Sequence, residues 1–469
     1  MTSLQEKSSR NTAWRIALAG LLTLSAAMGV GRFAFTPVLP MMLHDQSIDL
    51  IGGGWLATSN YLGYFLGAML CAFWRGLPPT STIRMGLIAS VLLTLGMGLL
   101  DGQAVWLLLR LLSGVASALV FVYSSGWCLQ RLAQLQQPTL GGIIFCGPGL
   151  GIMLTGLSSS AMVAAGWLAV SAWLAFGLLA AALTMVVWPI YRKQPTVAPA
   201  AATTGPATAA TTAPEQQNEV RWQVLAYGLS GFGYIITATF LPVIARKALP
   251  GSAWPDFFWP LFGLCVALGA LSATRIPVHI DQRRLLAICY VLQAIGVVTS
   301  AILPNAFGFA LGSILLGLPF TAITLFAMRE ARRLRSDHAA ALMGLMTASY
   351  GIGQIVGPPL ATSLVHLTGS FTPSLCIAAI ALLTGAALYT WLSARSNATG
   401  IKKSLPASWQ RLFHPTVTLS GKPVQQSCVI CGYATARYHD CATAPEPGYR
   451  FSDAVPHAAH RTCWPCRAI

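Results

Sequence analysis

A chain of 469 residues, 55% of them apolar and only 9% charged, with a mean hydropathy of +0.63, lies far from soluble averages, which excludes a water-soluble or disordered protein. The net charge of +16 does not point to nucleic acid, because Lys and Arg fall in alternate segments between apolar stretches. An enzyme is disfavoured too, since the apolar stretches contain no nucleophile with a base and no metal-ligand set.

Twelve apolar runs follow in chain order, each near the roughly 20 residues a helix needs to cross the hydrocarbon. The first, near 14–39, contains Gly29, Gly31, Arg32 and Pro37; it is longer than a signal-peptide core and has no small-residue cleavage site, so it is expected to remain as a span. Runs near 52–74, 83–100 and 103–127 follow, the last holding Arg110 and Tyr123. Those near 140–163, with Gly147 and Pro148, and 168–190 complete a first group. Residues 192–221 are polar and rich in Ala, Thr and Pro, which predicts a flexible linker. The second group lies near 222–245, 256–276, 284–303, 306–328, 339–367 and 372–393. Beyond it, residues 397–469 turn polar and basic. There Cys428, Cys431, Cys463 and Cys466 form two Cys-x-x-Cys pairs, which fit either a tetrahedral metal site or, the favoured reading, an unstructured appendage without metal.

Arg75, Arg84, Arg131, Arg192, Arg221, Arg283 and Arg335 fall on one side of this pattern, and only Arg246 and Lys247 on the other. The positive-inside bias then places both termini and the linker in the cytoplasm. An internal repeat is also visible. Gly29, Gly31 and Pro40 of the first run recur as Gly231, Gly233 and Pro242 of the seventh, each 202 positions on, which aligns Tyr234 with Arg32. Gly147-Pro148 in the fifth run is echoed by Gly357-Pro358 in the eleventh, 210 positions on. Two related halves, 1–191 and 222–396, are the economical reading, and such halves place a site at their interface near mid-membrane.

Arg32 and Arg110 are the two charges well inside the runs. An arginine at a helix centre costs about 2.5–3.5 kcal/mol on insertion scales, so each needs compensation. Either it snorkels or bonds carbonyls left open near Pro37 and the glycines, or it lines an electropositive cavity that binds carboxylate or phosphate. Asp45, Asp49, Asp101 and Asp256 fall in loops or at helix ends, Glu330 lies at an inner end, and His366 is the lone histidine in a span, near its outer end. With no carboxylate inside the runs to alternate between a proton and a cation, export of cations is disfavoured. Tyr234, Tyr123 and Gln354 join the two arginines as candidate substrate-binding residues.

Several motifs resemble the major facilitator superfamily. Arg110-Leu-Leu-Ser-Gly114 resembles its arginine-then-glycine motif, and Gly147-Pro148-Gly149-Leu-Gly151 its Gly-Pro motif. Gly269, Arg275, Asp281, Arg283 and Arg284 resemble its charged cytoplasmic loop, whereas the loop after the second run keeps Gly67, Arg75 and Arg84 but lacks the acid. The strings from Met28 to Met41 and from Gly231 to Pro242 look like the YbfB/YjiJ group of that superfamily. The resemblance implies an all-α integral membrane fold of 12 transmembrane helices in two six-helix pseudo-symmetric halves, with a polar C-terminal tail. It implies a monomeric secondary transporter of the bacterial inner membrane, with a small-molecule substrate, no cofactor and no nucleic acid. Gly147, Pro148, Gly357, Pro358, Gly269, Arg275, Asp281 and Arg284 would serve gating. The arginines favour an anionic substrate; proton-coupled drug or metabolite efflux, and a non-transporting sensor with a metal-binding tail, are the alternatives.

Overall fold

Every apolar run is helical in the computed structural model, which describes residues 3–73, 77–191, 214–335 and 339–404. The first run is α1 (Ser3–Leu24), a π-helical turn at Ser25–Val30, and α2 (Phe35–His44). Next come α3 (Leu50–Phe73), α4 (Pro79–Leu99) and α5 (Gln103–Gln134). The fifth run divides into α6 (Gly141–Ile144) and α7 (Gly147–Ala164), and α8 (Ala169–Val187) is the sixth. The second group comprises α9 (Pro214–Ala248), α10 (Pro255–Arg275), α11 (Gln282–Ile302), α12 (Ala306–Leu334), α13 (Ala339–Thr368) and α14 (Thr372–Ser404). Among the described residues, eleven helical segments are long and apolar enough to cross a membrane. α13, with 30 residues, is not among those eleven.

Helix boundaries depart from the sequence expectation where polar residues extend a span. α9 begins at Pro214, so residues 214–221 of the expected linker are helical, and Glu219 there reaches Arg283 at 3.2 Å. α5 and α12 run on to Gln134 and Leu334, and α14 reaches Ser404, into the expected tail. Arg, Gln and Glu are good helix formers, so helix continues after the apolar pattern stops. Cys428, Cys431, Cys463 and Cys466 lie outside the described residues.

Within the first group α3 packs on α5, α5 on α4, α4 on α8, and the π-helical turn on α7. In the second group α10 packs on α12, α12 on α11, α11 on α14, and α9 on α13. The groups meet through α7 on α10, α3 on α13 and α2 on α9. These seams depend on residues without side chains. A Cβ on Gly149 would stand 2.5 Å from the Ala267 backbone nitrogen, and one on Gly29 2.3 Å from the Gly151 Cα, so these backbones touch directly.

The two ends of the bundle differ. At the end carrying the α2–α3 and α9–α10 loops, Val38, Leu39, Phe240 and Leu241 are sealed between the groups. Thr36 Oγ1 donates to the Ala238 carbonyl (3.3 Å), and the Tyr61 and Thr239 hydroxyls pair at 2.8 Å. At the end carrying α1 and the start of α9, no extended packing joins α1 to α9 or α5 to α12 among the described residues. The acids near the sealed end work locally. Asp49 caps α3 through the Gly52 N–H (2.7 Å), Asp45 accepts the Ala169 N–H at the start of α8 (2.7 Å), and Asp256 pairs with Arg246 (2.5 Å).

Candidate functional site

The site starts from a fault in the first run. Pro37 has no N–H to give the Phe33 carbonyl, and its ring crowds that turn. The π-helical turn at Ser25–Val30 shifts the hydrogen-bond register just before it, so Gly31 and Arg32 precede a stretch that is not regular helix. The Gly31 and Arg32 carbonyls find their donors on α5. Arg110 Nη1 reaches the Gly31 carbonyl at 3.3 Å and Nη2 the Arg32 carbonyl at 3.0 Å, while Ser113 Oγ also donates to Gly31 at 2.6 Å. The Arg110 guanidinium, 2% exposed, lies 4.9 Å from the Phe35 ring centroid, and the Arg110 carbonyl accepts from Asn60 Nδ2 at 3.0 Å. Arg110 is thereby spent on backbone, and the backbone it holds is that of the other arginine.

Arg32 is used differently. Its side chain is 3% exposed, and its guanidinium carbon sits 3.9 Å from the Tyr64 ring centroid, close enough for a flat stack, with Tyr61 and Phe33 at 5.3 Å. Nη2 donates to Gln354 Oε1 of α13 at 3.1 Å, a bond that crosses between the groups. Nε has no partner. Nε–H and Nη2–H share one edge of a guanidinium, the edge that carboxylates take with two parallel bonds. Here that edge holds one neutral amide oxygen. Among the described residues no carboxylate pairs with Arg32 or Arg110.

Aromatic rings surround this edge. Gln354 Nε2 donates to the Tyr234 hydroxyl. Tyr234 stacks on Tyr350 (centroids 5.8 Å, 22°), and Tyr350 on Tyr227 (4.9 Å, 28°). Phe320 meets both Tyr234 (5.0 Å) and Phe33 (6.4 Å) edge-on. Trp259, 6.5 Å from Phe33 between centroids, is buried with an unpartnered indole N–H.

Of the sequence candidates, the structure brings together Arg32, Tyr234 and Gln354. It places Arg110 beneath them on the backbone and Tyr123 elsewhere, against the cluster of Ile83, Leu87 and Val120. Gly147 opens α7 against the Leu21 carbonyl, with Pro148 in its first turn, and Gly357 lies beside Ile235 with Pro358 following it in α13. Gly269 sits on the Leu318 carbonyl. His366 is exposed near the end of α13. A groove of about 340 Å³ along α7 and α10, lined by Met153, Leu157, Phe257 and Leu264, is apolar and apart from these residues.

The charged loop forms a second polar centre. Asp281 caps α11 through the Arg283 N–H (2.9 Å), accepts from Ser393 Oγ (2.5 Å) and pairs with the exposed Arg284 at 3.6 Å; Arg275 is exposed. The buried member is Arg283, which binds Glu330 (2.5 Å), Glu219 (3.2 Å) and the Leu392 carbonyl (2.8 Å). Glu330, fully buried, also receives Arg333 at 2.8 Å. Sequence reasoning passed over Glu219 and Glu330 as partners. The one available signal was a single acid within the basic segment from Arg329 to Arg335.

Comparisons with known proteins agree on family and fold. The family model described as "Uncharacterised MFS-type transporter YbfB" matches residues 24–390. No curated protein matches the sequence. A crystal structure of the nucleoside transporter NupG is similar with a TM-score of 0.64 and 14% identity, covering 81% of this chain and 99% of that one. At that identity the likeness is one of fold.

Proposed function

The chain belongs to the family of MFS-type transporters described by YbfB, and from that premise we propose that it moves a small organic anion across the bacterial inner membrane by alternating access. The observation that carries the choice of anion is the Arg32 edge: Nε unpartnered, Nη2 on a neutral amide, both buried. A desolvated guanidinium without a counter-ion is costly, and an incoming carboxylate removes that cost with two charge-assisted bonds.

In this reading the first and second groups are two related six-helix halves, with α13 as the eleventh of twelve spans. The recurrence of packing order from one group to the other supports it. With both termini cytoplasmic, the end lacking α1–α9 and α5–α12 packing faces the cytoplasm, and substrate reaches Arg32 from that side. Its carboxylate displaces Gln354 from Nη2, which removes a hydrogen bond between the halves. Among the bonds that remain between the halves, Thr36 to Ala238, Tyr61 to Thr239, Thr58 to Ile355 and Ser160 to Asp256 are neutral and worth about 0.5–1.5 kcal/mol each. Losing one such bond is comparable to the 1–3 kcal/mol that typically couples binding to a change of state. Arg110 keeps the Arg32 backbone in place throughout. Gly149 and Gly263 give the close contacts about which the halves rock, and the Arg283–Glu330 centre holds the cytoplasmic ends of α9, α11, α12 and α14 together.

The test is thermal stabilisation of purified protein by carboxylates, phosphate and organic cations, since binding to the folded state raises apparent stability. Anions are expected to stabilise the wild type and not Arg32→Gln. Stabilisation by cations that Arg32→Gln abolishes equally refutes the anion assignment.

A further inference from the structure

We infer that the substrate is a planar aryl monocarboxylate, one whose ring is conjugated to its carboxyl group; this rests on the anion reading above and goes beyond it. Charge comes first. Both Nη atoms of Arg110 are on backbone carbonyls and its Nε, like that of Arg32, is unpartnered; Arg32 is the arginine whose Nη2 is held by an exchangeable side chain, Gln354, and that edge suits a single carboxylate.

Shape follows from the stack. The Arg32 guanidinium carbon stands 3.9 Å from the Tyr64 ring centroid, a separation that fits a guanidinium stacked on that ring. A carboxylate bound two-pronged to the Nε/Nη2 edge lies in the guanidinium plane. In an aryl carboxylate the ring continues in the same plane and therefore lies parallel to Tyr64. A saturated ring is puckered and cannot. Surface follows next. Gln354, the group such a carboxylate displaces, is hydrogen-bonded to Tyr234, the end ring of the near-parallel stack Tyr234–Tyr350–Tyr227. Tyr64 and Tyr350 are only partly buried, whereas Tyr227 and Tyr234 are buried. Offset stacking on such faces adds stabilisation beyond area burial. Trp259, across Phe33 from Arg32, holds an unpartnered N–H in this aromatic surround, a second donor without an acceptor. An aromatic cation is disfavoured here because Arg32 already occupies the cation position over Tyr64.

The experiment is titration of the purified full-length protein, followed by thermal unfolding, with benzoate and 2-naphthoate, their saturated counterparts cyclohexanecarboxylate and decahydronaphthalene-2-carboxylate, and the neutral aromatics benzamide and uridine. The aryl acids are expected to bind at least about tenfold more tightly than the saturated acids, and the neutral aromatics to give no shift. Equal binding of aryl and saturated acids overturns the aryl inference while leaving the anion reading intact. Neutral aromatics as effective as the acids, or no response to any acid, overturn both. Tyr350→Leu is expected to erase the aryl preference while keeping the response to saturated acids, and Tyr350→Phe to retain it. An aryl preference that survives Tyr350→Leu overturns the role given to the stack, and the wild-type comparison stands whether or not that variant folds.

Discussion

Replacing Gln354 by Glu changes one atom pair at the centre of the proposed site and keeps its shape. The new carboxylate would sit where Gln354 Oε1 now lies, 3.1 Å from Arg32 Nη2. Two unit charges about 4 Å apart attract by about 4 kcal/mol at an effective dielectric of 20. Burial of the new carboxylate costs several kcal/mol, so unliganded stability is expected to change little. Affinity for anions is different, because an incoming carboxylate must now displace a tethered one of equal charge. Loss of about 3–4 kcal/mol of attraction corresponds to binding about 10²–10³-fold weaker. Gln354→Leu should act in the opposite direction: it removes a hydrogen bond from the charged guanidinium worth about 1.5–3 kcal/mol that competes with substrate, so anions bind about 12- to 160-fold more tightly. Calorimetric titration with benzoate measures both. Opposite signs cannot come from general damage to the site. Wild-type affinity in Gln354→Glu, or equal losses in the two variants, refutes the view that Gln354 holds the substrate's place.

Other substitutions separate structural from recognition roles. Arg110→Gln removes a charged donor from two carbonyls and should destabilise by about 3 kcal/mol in chemical or thermal unfolding, whereas Arg32→Gln should change stability by less than about 1 kcal/mol while abolishing the anion response. At the second polar centre Arg283→Ala strands the buried Glu330 and should cost about 3–5 kcal/mol; exposed Arg284→Ala should fall within about 0.5 kcal/mol, and the double variant Arg283→Met/Glu330→Leu should recover much of the loss. Gly29→Ala places a methyl 2.3 Å from the Gly151 Cα and should lower expression and unfolding temperature sharply. Gly126→Ala meets nothing within 4 Å and should be neutral or stabilising by up to about 1 kcal/mol; equal losses at both positions would show that the α7 seam is not tightly packed.

The membrane class and helix order were legible because hydrocarbon imposes a length and polarity rule on every span, and the runs obey it locally. The same rule made Arg32 and Arg110 conspicuous, and the 202-residue echo aligned Tyr234 with Arg32 as equivalent positions. Helix ends were less legible, as α9 and α14 show, because polar residues outside the hydrocarbon form helix as readily as loop. The surroundings of Tyr123 were illegible for a related reason: a tyrosine in a span looks the same from sequence whether it faces a cavity or packs beside Val120.

What the sequence determined by itself was therefore class, family, the positions of the spans and the presence of two arginines that need partners. What only tertiary structure decided was which partners those are. Arg110 and Arg32 are chemically identical and similarly placed in their runs. One donates both Nη atoms to carbonyls of the first run, and the other places Nη2 on Gln354, 322 positions away in sequence; the Nε of each is unpartnered. Hydrogen bonds depend on directions and distances of a few ångströms between helices far apart in the chain, and no local pattern of residues encodes them.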